Sequence, residues 1–178
     1  LTSFAGEPQA RNRYTYFARR AAEEGFAQIA DIFEETASHE CEHALRFFKF
    51  FNGGEMEITS SFPAGVIRST YENLVAAADG ERFEHTEMYP GFAKVARDEG
   101  FARAADTWMA ISVSEKQHEK RYRELAANLK ADRVFRRDQD MVWRCRNCGY
   151  LHTGQEAPEK CPACVKPQGT FELLAENW

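Results

Sequence analysis

A charged pair stands where a helix core should be, and it stands there twice. FARRAAEEGFAQIADIFEETASHECEH, from Phe17, aligns with FAKVARDEGFARAADTWMAISVSEKQH, from Phe92, at an offset of 75, and 11 of the 27 positions are identical. Helical periodicity runs through both copies. In the first, the stripe that should be buried is Ile29, Phe33, Thr36, Glu40, His43, Phe47 and Phe50. In the second it is Ala104, Trp108, Ile111, Glu115, His118, Tyr122 and Leu125. Steps of three and four mark one helix face, and Glu-x-x-His interrupts that face at equivalent places. Three residues turn a helix by about 300°, so the two side chains lie within about 60° of each other, one turn apart. A single Glu-x-x-His reads as a surface salt bridge. Two on core stripes need another explanation, because burying an unpaired carboxylate costs several kcal/mol.

The partner helix of each hairpin adds carboxylates. Gly6-Glu7 precedes the first Glu-x-x-His and Gly80-Glu81 precedes the second. Tyr14 and Tyr89 keep the offset of 75, whereas Glu7 and Glu81 are 74 apart. The second copy therefore holds one extra residue between Glu81 and Tyr89, which a π-bulge would absorb. Glu84 follows Glu81 by one turn on the stripe Ile67, Thr70, Leu74, Ala77, Glu81, Glu84, Met88 and has no counterpart in copy one. Five carboxylates in one core (Glu7, Glu40, Glu81, Glu84, Glu115) repel unless cations offset them. With His43 and His118 they form an oxygen-rich set that suits iron or manganese better than structural zinc. A Glu from each of two helices plus two Glu-x-x-His motifs is also the known ligand set of carboxylate-bridged di-iron bundles, and the chain matches that pattern.

The 178 residues divide near residue 130. Before that point four helices are expected, at about 2–24, 26–51, 63–98 and 101–129. The charged run KADRVFRRDQD reads as a linker over 131–140. Short segments with turns and aromatics, among them Trp143, Tyr150, Phe171 and Trp178, then form a small unit over 141–178. Four of the five cysteines lie in this tail as Cys145-x-x-Cys148 and, after twelve residues, Cys161-Pro-x-Cys164. That spacing builds a tetrahedral thiolate site and points to a reducing compartment. Spacing leaves a structural zinc ribbon open, while Gly149-Tyr150 and Pro162 lean towards iron. The fifth, Cys41, falls off the stripe and is expected to be a buried small residue. His39, His85 and His152 have no partner at ligand spacing and are assigned surface roles or support behind the ligands. No apolar run approaches 18 residues and no signal-peptide pattern opens the chain, so a soluble, cytoplasmic protein is expected, without a membrane role. A net charge of −5 argues against nucleic-acid binding.

FAGEPQARNRYTYF, IFEETASHECEH, GERFEHTEMYP, SEKQHEKR, WRCRNCGY and CPAC together resemble the rubrerythrins over essentially the whole chain. The resemblance implies a mainly α protein: a ferritin-like four-helix bundle over 1–130, followed by a small rubredoxin-like iron domain with four cysteine ligands. It implies that Glu7, Glu40, Glu81, Glu84, Glu115 and His118 ligate two non-haem irons, and that His43 exchanges with Glu84 on reduction. Tyr14 and Tyr89 would hydrogen-bond around that site, although sequence alone reads them equally well as core aromatics. Cys145, Cys148, Cys161 and Cys164 would hold a third iron. The implied function is a peroxidase that reduces hydrogen peroxide, a head-to-tail homodimer fed with electrons by an NAD(P)H-dependent reductase or a rubredoxin. No Gly-rich dinucleotide fingerprint is present in the chain itself. A ferroxidase or iron-storage protein is the rival within the same fold, and a zinc-ribbon adaptor the rival outside it.

Overall fold

The computed structural model describes residues 1–177, so Trp178 lies outside the described residues. Two helical hairpins make the bundle. In the first, α1 (Thr2–Glu23) leads into α2 (Ala27–Phe48). In the second, α3 (Thr70–Phe83), a π-helical turn (Glu84–Met88) and α4 (Tyr89–Asp98) form one interrupted rod, which leads into α5 (Ala102–Lys130). The repeat fixes how each hairpin turns. Phe26 donates to Ala21 O at 2.8 Å and Gly25 to Ala22 O at 3.1 Å; Phe101 donates to Ala96 O at 2.7 Å and Gly100 to Arg97 O at 3.1 Å. These are matching Schellman turns, and both glycines sit at φ +85°, where a Cβ is disfavoured.

The third rod starts later than its periodicity suggests. Ile67 fits the stripe but is 51% exposed, and α3 begins after Ser69. Ser69 and Glu72 form a capping box there, which satisfies free helix N–H groups, while Pro63 and Gly65 lie in the non-helical crossover. Thr70 N–H at this start donates to Glu24 Oε2 of α1 at 2.9 Å, so α3 begins beside the Gly25 turn and runs antiparallel to α1. The expected π-bulge is present, at Glu84–Met88.

Aromatic and small residues fill the half of the bundle nearest the Gly25 turn, with Tyr14, Phe17, Ile29, Phe33, Leu74 and Tyr122 buried together. Beyond α5, Asp132 adopts φ 54° and ends the helix by the same kind of turn, with Arg133 N–H on Asn128 O at 2.8 Å. The stretch read as linker is only partly so. Strand β1 (Arg136–Cys145) starts inside it and pairs antiparallel with β2 (Leu151–Glu156) and β3 (Phe171–Leu173), in the order β2-β1-β3. Buried Trp143 anchors this small sheet, its Nε1 donating to Gly154 O at 2.9 Å.

The tail packs on the Gly25 end of the bundle. Phe26 stacks on Phe135 with ring centroids 6.1 Å apart, and Arg146 bridges Glu172 of the tail to Asp31 of α2. Gly169 lies so close to Gly25 that a Cβ on it would collide with the Gly25 carbonyl oxygen. Among the described residues, no helix is long and apolar enough to cross a membrane.

Candidate metal centre

Glu40 and His43 face inward from α2, Glu115 and His118 from α5, Glu7 from α1 and Glu81 from α3. Glu7, Glu40, Glu81 and Glu115 are wholly inaccessible to solvent. Their ligand atoms gather into two groups: Glu7, Glu40, His43 and Glu115 in one, and Glu40, Glu81, Glu115 and His118 in the other, with every atom of a group within 4.8 Å of the rest. Glu40 and Glu115 belong to both. Six of the seven residues singled out from the sequence are thus brought together. Glu84, on the π turn and half-buried, belongs to neither group. Tyr14 donates a hydrogen bond to Glu81 and Tyr89 donates one to Glu7, so both tyrosines touch the carboxylates as well as the core.

The electrostatics of this cluster fit a missing positive charge. Burial, and then the charge of Glu40, push Glu7 well above the usual carboxylate range and Glu81 up to about 8. Glu84 is raised as well, by burial and then by Glu81. Burial would also raise Glu40, but the adjacent His118 and His43 imidazoles bring it down to about 2. Burial opposes charge on the two imidazoles, yet Glu115 and Glu40 hold His43 at about 9, and Glu115, Glu40 and Glu81 push His118 up to about 12. Even so, Glu7 Oε2, Glu40 Oε1, Glu81 Oε2, both Glu115 oxygens and His118 Nδ1 are buried without a hydrogen bond among the described residues. Orphaned buried acceptors are costly. Six such atoms converging in two groups are what a pair of cations would satisfy, so the residues fit a di-metal site.

The four cysteines make the second centre, with Cys145, Cys148, Cys161 and Cys164 within 4.8 Å of one another. The knuckle geometry comes from backbone turns: Gly149 N–H meets Cys145 O at 2.8 Å and Val165 N–H meets Cys161 O at 2.8 Å. Glycine stands at φ 77° in the first knuckle, where a Cβ is disfavoured. The Lys166 backbone N–H, first among several donors, draws Cys164 down to about 6. Cys148 stands at about 12 although the Tyr150 N–H pulls it the other way, because desolvation and then the neighbouring thiols disfavour its thiolate. Four thiols so close cannot all ionise without a cation between them.

One neighbour lies elsewhere than the sequence suggests, and two histidines stand behind the centre. Cys41 is exposed, not buried: one residue from Glu40 is about 100° around the helix and turns it to solvent. His39 supports the centre from outside, its Nδ1 3.1 Å from His118 Nε2. Its place four residues before His43, on the same face, was the available signal. His85 lies on the π turn, with its Nε2 2.7 Å from Glu119 Oε2 of α5, a contact that sequence spacing could not show.

Known proteins share this anatomy. The rubrerythrin family model matches residues 1–126, and the model of the rubrerythrin rubredoxin-like domain matches residues 143–172. Rubrerythrin from Nitratidesulfovibrio vulgaris is 57% identical over 178 residues, which cover 100% of this chain and 93% of that protein. Rubrerythrin from Porphyromonas gingivalis is 52% identical over 178 residues, 100% of this chain and 89% of the relative. Among solved structures, fully reduced (all-ferrous) nigerythrin superposes with a TM-score of 0.64 at 34% identity, covering 97% of this chain and 83% of that one. Dithionite-reduced symerythrin from Cyanophora paradoxa gives a TM-score of 0.64 at 26% identity, over 72% of this chain and 81% of that one. With a ferritin-like carboxylate bundle and a rubredoxin-like four-cysteine tail in one polypeptide, each matched by its family model, the chain belongs to the rubrerythrin family.

Proposed function

We propose that the chain is a non-haem di-iron peroxidase that reduces hydrogen peroxide to water and serves in defence against oxidative stress. The reading is carried by one arrangement: Glu40 and Glu115 are common to two donor groups. Glu7, Glu40, His43, Glu81, Glu115 and His118 would hold two irons, with Glu40 and Glu115 available to both and Glu84 as an exchangeable donor. Cys145, Cys148, Cys161 and Cys164 would hold a third, a position that zinc also suits. Bound iron would supply the two electrons that cleave the O–O bond and the positive charge that draws peroxide in. The balance is hydrogen peroxide, two electrons and two protons to two waters.

The protein's part is to hold, orient and protonate. Tyr14 and Tyr89 fix Glu81 and Glu7 by hydrogen bonds, so one oxygen of each stays directed away from the shared space. Glu84 sits on the wide turn between α3 and α4, where an i→i+5 backbone loosens side-chain phase. From there it would serve as a donor alternative to His43, and either group would hand a proton to the departing hydroxide. The four-cysteine unit would return electrons one at a time, received from an NAD(P)H-dependent reductase or a rubredoxin. Asp31, the α2 residue that Arg146 grips, is nine residues before Glu40, roughly 14 Å along the helix. In the head-to-tail dimer that this reading includes, the tail would instead serve the partner's bundle.

Stopped-flow mixing tests the reaction. Chemically reduced protein should oxidise faster with peroxide than with an equal concentration of dioxygen. Cys161→Ser should keep that single turnover while losing steady-state turnover with a reductase. A reduced protein that reacts with dioxygen, ignores peroxide and retains ferric iron would establish the ferroxidase reading instead. For the route, Glu40→Ala and Cys161→Ser chains refolded together should recover turnover that neither has alone; demonstrated exchange without recovery would place transfer within one chain.

A further inference from the structure

We propose that His39 is a positioning residue for His118: it accepts a hydrogen bond from the outer edge of that imidazole, and so makes Nδ1 the nitrogen offered to the metal. The proposal rests on the di-metal reading of the site. His118 is buried, and its two nitrogens face different surroundings. Nδ1 points inward, 2.9 Å from Glu115 Oε2, 3.3 Å from Glu40 Oε1 and 3.4 Å from Glu81 Oε2, with no hydrogen bond of its own. Nε2 points outward and meets His39 Nδ1 at 3.1 Å. The two rings are 11° from parallel with centroids 5.3 Å apart. Centroids that far apart with nitrogens that close describe rings joined edge to edge, not stacked face to face.

A neutral imidazole has one lone pair and one N–H. If His118 gives its Nδ1 lone pair to a cation, the proton must reside on Nε2, and that N–H needs an acceptor. His39 Nδ1 provides it, which in turn fixes the His39 proton on Nε2. One contact therefore sets two tautomers and the plane of the ligand ring. Its carrier is exposed, on the rim of a surface pocket shared with His43, Gln117 and Arg121. His43 differs: its Nδ1 is the atom that meets Glu40 and Glu115, each at 3.0 Å, and its outer side opens on that pocket. Supporting bonds of the His39 kind orient metal-bound histidines and raise their basicity.

The test compares His39→Leu, which cannot accept, with His39→Gln, whose side-chain carbonyl can. Full-length protein is stripped of metal and titrated with Co(II), with the carboxylate-bound ions followed by their d–d bands apart from the thiolate-bound ion. In zinc-loaded protein, ¹⁵N–¹H spectra report which His118 nitrogen carries the proton. His39→Leu should weaken one of the two carboxylate-bound ions by about 10- to 100-fold and remove the protected Nε2–H signal. His39→Gln should stay within about threefold of the parent and keep that signal, as rescue by a second acceptor requires. Equal affinities in all three proteins, or equal losses in both variants, overturn the proposal. Failure of the parent to bind Co(II) among the carboxylates would instead overturn the di-metal reading beneath it. Because His39 is exposed, a thermal melt matching the parent is expected for both variants and confirms that the comparison is between folded proteins.

Discussion

Residues 17–43 and 92–118 share their turns and differ in their donors. The Gly25 and Gly100 turns carry the same two backbone bonds and the same φ of +85°, so the geometry of a helical hairpin survives a divergence of more than half the side chains. Around the metal centre the halves part. The first hairpin offers Glu7 from an unbroken helix, whereas the second offers Glu81 at the end of α3 and then widens into a π turn that carries Glu84. His118 has an imidazole behind it and His43 has a surface pocket. Identical backbone logic, then, is compatible with unequal chemistry, because one added residue changes which side chains share a face without disturbing the hairpin that holds them.

Breaking what the halves hold in common should have the largest effect. Glu40→Ala and Glu115→Ala each remove a donor from both groups, so each should abolish binding of both ions and reduce peroxide turnover to background. Metal analysis checks this: if either variant retains a full pair, the carboxylates are not shared. Next comes the feature the halves do not share. Glu84→Ala should keep both ions but slow peroxide reduction at least about tenfold, equivalent to about 1.4 kcal/mol of transition-state stabilisation. Unchanged turnover at full iron occupancy would deprive the π turn of its catalytic part.

The turns themselves offer a sharper comparison with a smaller effect. Gly25→Ala and Gly100→Ala place a Cβ at φ +85° with nothing else within 4 Å, so conformational strain alone should cost each about 1–2 kcal/mol. Unfolding free energies from denaturant melts that differ by more than about 0.5 kcal/mol between the two would show that the repeated turn is not energetically repeated.

Smallest is the ionisation of Glu24, whose repeat counterpart is Glu99. Burial tends to raise the Glu24 pKa, but hydrogen bonding from Thr70 and the Arg20 guanidinium outweigh it and lower it. A carboxylate with a lowered folded-state pKa contributes stability above its unfolded pKa, near 4.3, and loses that contribution as pH falls through the folded value. Glu24→Gln should therefore cost about 0.5–1 kcal/mol at pH 7 and progressively less in acid below about pH 4. Glu99→Gln removes no such bond to a neighbouring helix start and should change the midpoint little at pH 7. A cost for Glu24→Gln that persists undiminished in acid would mean that packing, not charge, ties α3 to α1.

What could be read in the chain followed from strong periodicity. Glu40, His43, Glu115 and His118 were legible because they interrupt a 3.6-residue stripe that Ile29, Phe33, Ile111 and Tyr122 otherwise define. The π turn was legible from a counting mismatch, 74 against 75. Where periodicity was weak or accidental, reading failed. Ile67 extends the α3 stripe on paper, yet the capping box at Ser69 starts the helix later. The charged run at 131–140 conceals the start of β1, because that stretch of strand is mostly exposed and shows no alternation to read. The pairing of His39 with His118, and of His85 with Glu119, depends on how α2 and the π turn meet α5, which no single helix encodes.

The two donor groups have a consequence for ancestry and assembly. Each draws three residues from its own hairpin and borrows one: Glu115 for the first group, Glu40 for the second. Neither hairpin by itself can close its own ring of ligands. Two copies of one such hairpin, meeting about a twofold axis, would lend each other that glutamate and recreate both groups. The bundle thus repeats, inside one polypeptide, the reciprocity of a dimer, and either group is complete only when both halves have docked.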